Sequence, residues 1–113
     1  MTHLEENIAA AKAEELLDTI RRAIEADGFA EVPACMRRNF SKGHQGVPQD
    51  CEGLWSVTVK KGDNIVYLKD GMVTFGCWLP TEEGVAQPLF SLRMSAAEFL
   101  QRWKEVQKQE ANN

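Results

Sequence analysis

Residues 54–80 read LWSVTVKKGDNIVYLKDGMVTFGCWLP. Apolar and polar residues alternate along this stretch, and two clusters of turn-forming residues interrupt the alternation. A period of two marks strands that bury one face. The pattern predicts strands over about 54–60, 64–69 and 72–79. A two-residue turn at Gly62-Asp63, glycine first, suits type II′ and sets Val59 opposite Val66 and Val57 opposite Leu68. A second turn at Asp70-Gly71 suits type I′ and sets Leu68 opposite Val73 and Val66 opposite Phe75. Both turns put Val57, Val59, Val66, Leu68, Val73, Phe75, Cys77 and Leu79 on one face, and Trp55 shares their parity. Register and burial pattern therefore agree, as they must where one face is covered.

Helices flank this meander. Ala9, Ala13, Leu16, Leu17, Ile20, Ala23 and Ile24 fall within an arc of about 120° at helical spacing. Glu14, Glu15, Asp18, Arg21, Arg22 and Glu25 lie opposite, which predicts a helix over about 3–27 closed by Asp27-Gly28. Thr2 and Glu5 have capping-box spacing, although Glu5 and Glu6 project into the apolar arc. Downstream, Phe90, Leu92 and Met94 alternate and predict a strand over about 89–94. Ser95 and Glu98 then form a capping box, and Ala96, Phe99, Leu100, Trp103 and Val106 share one arc of a helix over about 96–109. Glu98 and Arg102 are spaced as a favourable pair, and the polar tail QKQEANN is expected to fray. Residues 29–53 have neither period, but Phe29, Val32, Phe40 and Val47 give them apolar anchors, so they read as a packed loop or short strand. The sum is one α+β domain, a two-layer sandwich. A three- or four-stranded antiparallel meander carries the N- and C-terminal helices on one face.

The chain has 113 residues, 43% hydrophobic and 27% charged, in the range of a single globular domain. No apolar run approaches the ~18 residues of a membrane span, and no basic segment precedes an apolar run as in a secretory signal. Three cysteines, an odd number, suit free thiols in a reducing cytoplasm; a Cys35–Cys51 disulfide would need an oxidising compartment. A net charge of −4 argues against general binding to nucleic acid or membrane.

Two surfaces are left over. The other face of the meander carries Ser56, Thr58, Lys60, Ile65, Tyr67, Lys69, Met72, Thr74, Gly76 and Trp78. Ile65, Tyr67, Met72 and Trp78 are larger and more apolar than solvent asks for, as at a partner-binding patch or a homodimer contact. The competing reading folds residues 29–53 over them. If they bind a partner, Trp78→Ala leaves the melting temperature nearly unchanged; a large loss makes Trp78 core. The second surface is the basic island Met36–Gln45, where Arg37, Arg38, Lys42 and His44 surround Phe40 and suit an anion or single-stranded nucleic acid.

Catalytic and metal signatures are weak. Cys35, His44 and Cys51 are spaced C-x8-H-x6-C, without the close ligand pair of structural zinc sites. Cys35 lies near Arg37, Arg38 and His44 in sequence, which fits a lowered thiol pKa but matches no nucleophile motif. Glu5-Glu6, Glu14-Glu15 and Glu82-Glu83 lie on helix or loop surfaces, unlike the dry carboxylates of general acids. The order helix, three strands, helix is similar to that of the double-stranded-RNA-binding domain. That family reads phosphates with lysines at the start of its last helix, where this chain has Ser95-Ala96-Ala97-Glu98, so the resemblance stops at the order of elements. The expectation is a small cytoplasmic binding protein without catalysis or cofactor, an inhibitor, adaptor or immunity-type factor that docks on a protein partner. The alternatives are a nucleic-acid- or phosphate-binding protein using residues 36–45, and a cysteine or zinc protein centred on Cys35.

Overall fold

A computed structural model describes the backbone of residues 3–112 and the side-chain surroundings of residues 11–106. The capping box at Thr2, the outward or inward setting of Glu5 and Glu6, and the tail from residue 107 lie outside these described side chains. The elements are α1 (His3–Glu25), β1 (Ala30–Glu31), a 3-10 turn (Ala34–Met36), α2 (Arg37–Gly43), β2 (Gly53–Val59), β3 (Gly62–Lys69), β4 (Met72–Leu79), β5 (Gln87–Ser95) and α3 (Ala96–Asn112). The strands form one antiparallel sheet in the order β1-β2-β3-β4-β5. This is the α+β meander with a helix at each end. The fifth strand comes from Ala30 and Glu31, which pair with Ser56 and Trp55 and are too short to show a period.

The Asp70-Gly71 turn forms as expected. Asp70 has φ 53° and Gly71 φ 77°, both positive as type I′ requires, and Leu68 meets Val73 while Val66 meets Phe75. The first turn does not. It sits at Lys60-Lys61, with Val59 opposite Gly62, Val57 opposite Asn64 and Trp55 opposite Val66. Gly62 lacks the positive φ of a type II′ turn. It is tight for another reason: a Cβ there would lie 2.1 Å from the Trp78 carbonyl oxygen. The partner shift is an even number of residues, so every side chain keeps its face.

The inner face and the two long helices build the main core. Ile20 and Ile24 of α1 and Ala96 and Phe99 of α3 pack with Phe29, Trp55, Val66, Leu68 and Val73. Trp103 stands among Phe29, Phe75 and Phe99, with ring centroids 5.8, 5.9 and 5.3 Å away. Burying side chains of this size removes about 1.5–3 kcal/mol of exposure cost each, which holds the two layers together. The Glu98 N–H donates to Ser95 Oγ at 3.2 Å, and Arg102 pairs with Glu98 at 2.9 Å, as the sequence pattern implies.

The other face is also covered. Val32, Val47, Leu54, Ile65 and Trp78 form a second core, flanked by Phe40, Cys51, Tyr67 and Ala86. The segment from Val32 to Cys51 is therefore a partial third layer, and the two-layer description holds for α1 and α3 alone.

Candidate functional site

The covering segment decides what the outer face can do. Ile65 is 0% exposed and Trp78 2%. This corrects their expected place in a partner-binding patch: both are core, because Val32, Val47 and Leu54 supply the apolar neighbours that solvent does not. A homodimer through this face loses the same two side chains. Tyr67 and Met72 stay half-buried, at the margin of the cover.

Several bonds hold the cover down. The Trp78 indole N–H donates to the Gln45 carbonyl at 2.8 Å. Gln45 N–H donates to Ala86 O and Ala86 N–H to Gly43 O, each at 2.8 Å. Ser41 Oγ donates to the Val47 carbonyl. His44 stacks on Phe40 with centroids 4.1 Å apart and planes at 16°. Its Nε2 lies 2.8 Å from Asp63 Oδ2 and its Nδ1 2.9 Å from Phe40 O, both acceptors, while Asp63 Oδ1 accepts from Thr58 Oγ1 at 3.2 Å.

The basic island divides accordingly. Arg37 Nη1 donates to the Cys51 carbonyl at 2.6 Å and His44 is bound to Asp63, so both side chains help hold the cover. Arg38 and Lys42 are exposed, one turn apart on α2. Cys35 is exposed in the 3-10 turn, and Cys51 and Cys77 are half-buried; all three are free thiols. Burial pushes the Cys51 thiol up, outweighing the lowering by nearby Arg37. Among the described residues no group of three or more His, Cys, Asp or Glu side chains stands together to hold a metal.

The sequence reading missed the last strand as a surface. β5 is an edge strand, and Leu89, Phe90 and Leu92 on it are 66%, 44% and 50% exposed. The two-residue turn makes Lys69–Met72 a hydrogen-bonded pair, so alternate β4 residues from Val73 turn their backbone groups toward β5. Their partners Met94, Leu92 and Phe90 are thereby engaged, and the N–H and C=O groups of Ser91 and Arg93 face the open edge. Between β5 and α3 runs a groove of about 360 Å³ lined by Phe75, Leu92, Met94, Phe99, Arg102, Trp103 and Val106. The signal was present in the alternation of Phe90, Leu92 and Met94, but strand order decides whether such a strand is covered. Set against protein-family models, curated proteins and solved structures, the chain matches none of them.

Proposed function

We propose that this chain is a small non-enzymatic binding protein of the cytoplasm, an inhibitor, adaptor or immunity-type factor that takes an extended segment of a partner protein alongside β5. One observation carries the reading. Three large apolar side chains, Leu89, Phe90 and Leu92, stand exposed on the edge strand whose Ser91 and Arg93 backbone groups are unpaired within the sheet. Edges are ordinarily blunted by charge, proline or cover; here Arg93 and Pro88 flank an apolar centre. Strand addition would satisfy the backbone groups, and a partner side chain on the inner face would enter the groove beside Trp103. The cytoplasmic placement rests on the three free cysteines. Among the described residues no helix is long and apolar enough to cross a membrane.

The test compares capture from host lysate by the wild-type chain with capture by Leu92→Lys and Ser91→Pro. Leu92 is half-exposed, and Ser91 directs its N–H outward, so both variants should melt near the wild type. Loss of the same stoichiometric protein from both variants supports docking at β5. Equal capture by all three chains overturns it. A wild-type dimer that becomes monomeric in both variants assigns the edge to a second copy instead. Binding to nucleic acid through Arg38 and Lys42 would fall steeply with salt and ignore both edge variants.

A further inference from the structure

We propose that a cleft on the outer face, beside the covering segment, binds the phosphate group of a small phosphorylated metabolite. Cross-strand register builds it. Tyr67 on β3 is opposite Thr74 on β4, and Thr74 is opposite Arg93 on β5, so the three stand in one row on one face. Neighbours in such a row have Cβ atoms about 5 Å apart. The next row brings Lys69 opposite Met72. Gly46 and Pro48 of the cover also line it, and the half-open cleft has a volume of about 280 Å³.

The lining is rich in donors that make no hydrogen bond within the described part of the protein. Thr74 is 7% exposed, yet among the described residues its hydroxyl has no hydrogen-bond partner. The Tyr67 hydroxyl, the Lys69 ammonium and the Arg93 guanidinium likewise make no hydrogen bond or ion pair among the described residues. The Thr74 hydroxyl is not among the buried unpaired side-chain atoms; it opens on the cleft, where a ligand oxygen can accept from it. Two cations and two hydroxyls face a single carboxylate, Asp70. The lining is net positive, and a phosphate's three terminal oxygens offer more acceptors to donors arriving from three strands than a carboxylate's two. The volume lies near the small end of ligand sites, about 300 Å³, and leaves room beside Tyr67 and Met72 for a short organic group.

This site is independent of β5 docking, because its ligand needs no partner protein. The experiment is an amide-resolved NMR titration of the full chain with inorganic phosphate and with glycerol 3-phosphate, repeated on Arg93→Gln, Thr74→Val and the control Arg38→Gln/Lys42→Gln. Saturable shifts at Tyr67, Lys69, Thr74 and Arg93 are expected. Affinity should fall about tenfold or more in Arg93→Gln and Thr74→Val and stay unchanged in the control. Arg93 is exposed, so that variant keeps its fold even if Thr74→Val loses stability. Absence of saturation at ~10 mM probe, where a Kd of ~1 mM would be nearly filled, overturns the proposal. So does undiminished binding in Arg93→Gln, or binding that disappears only in the Arg38/Lys42 control. Binding of an oligonucleotide with no response to either small phosphate overturns it in favour of a nucleic-acid surface.

Discussion

The indole N–H of Trp78 donates to the main-chain carbonyl of Gln45 at 2.8 Å, across 33 residues of chain. The bond ties β4 to the segment that lies over it, and the ring fills the second core with Ile65 and Leu54. Trp78→Ala is expected to cost about 3–5 kcal/mol, the range for emptying a buried aromatic site. The melting temperature should drop by more than ~10 °C in a domain of this size. Trp78→Phe keeps most of the packing and leaves the Gln45 carbonyl without its donor, for about 1–2 kcal/mol. Urea unfolding of the three proteins gives the ranking, and an unchanged midpoint for Trp78→Ala would return this residue to the surface.

His44 and Asp63 make the second tie, between the end of α2 and the start of β3. Both are partly exposed, so the pair is worth less than a buried one. His44→Ala and Asp63→Ala should each destabilise by about 1–2 kcal/mol. The double variant should lose less than the sum, with a coupling above ~0.5 kcal/mol. Strict additivity in the cycle would mean that the contact contributes nothing.

Gly76 and Gly43 should respond oppositely to alanine. A Cβ on Gly76 would sit 2.4 Å from the Phe90 carbonyl oxygen and 2.8 Å from the Trp78 ring, with backbone on one side that cannot move away. Gly76→Ala is expected to destabilise by about 3 kcal/mol. Gly43 lies in α2 with open space around its Cα and no positive φ, so Gly43→Ala should stabilise by about 0.4–1 kcal/mol. Thermal melts of the two variants check both signs.

Cys51 supplies a pH dependence. Its folded-state pKa lies above the ordinary thiol value of 9.0 because burial disfavours the thiolate. The unfolded chain loses this proton first as pH rises. The contribution of Cys51 to stability is therefore complete below pH 9.0 and declines as pH climbs through the folded-state value. The stability difference between wild type and Cys51→Ala should hold steady up to pH 9.0 and shrink as pH rises above it, measured by urea midpoints. A constant difference would refute the assignment. Alkylation at pH 8 should reach exposed Cys35 before half-buried Cys51.

The sequence made the strand faces, the Asp70-Gly71 turn and both long helices legible, because each rests on local periodicity or on φ-dependent turn chemistry. It did not give the β2–β3 register. Period-two alternation is unchanged by an even shift, so Val57 opposite Leu68 and Val57 opposite Asn64 fit the same pattern; in the second, Gly62 sits in the strand where a Cβ would lie 2.1 Å from the Trp78 carbonyl oxygen. The unusual apolar content of Ile65 and Trp78 was visible, but whether solvent, a partner or residues 32–51 answered it depends on non-local packing. The row Tyr67–Thr74–Arg93 was hidden for the same reason. Each residue looks ordinary in its own strand, and they become a site only once β3, β4 and β5 are aligned.

The strand order β1-β2-β3-β4-β5 has a kinetic consequence. From β2 to β4 each strand pairs with the next across a two-residue turn, so these hairpins close with little loop entropy. The pairing of β1 with β2 must instead close over the whole segment from Val32 to Glu52, and that segment seats only on a sheet already formed. The meander can therefore assemble first and the cover arrive last. The cover is then a separable folding unit, the first to open in native-state exchange, and its opening lays bare Ile65 and Trp78 while α1, α3 and the inner core stay in place.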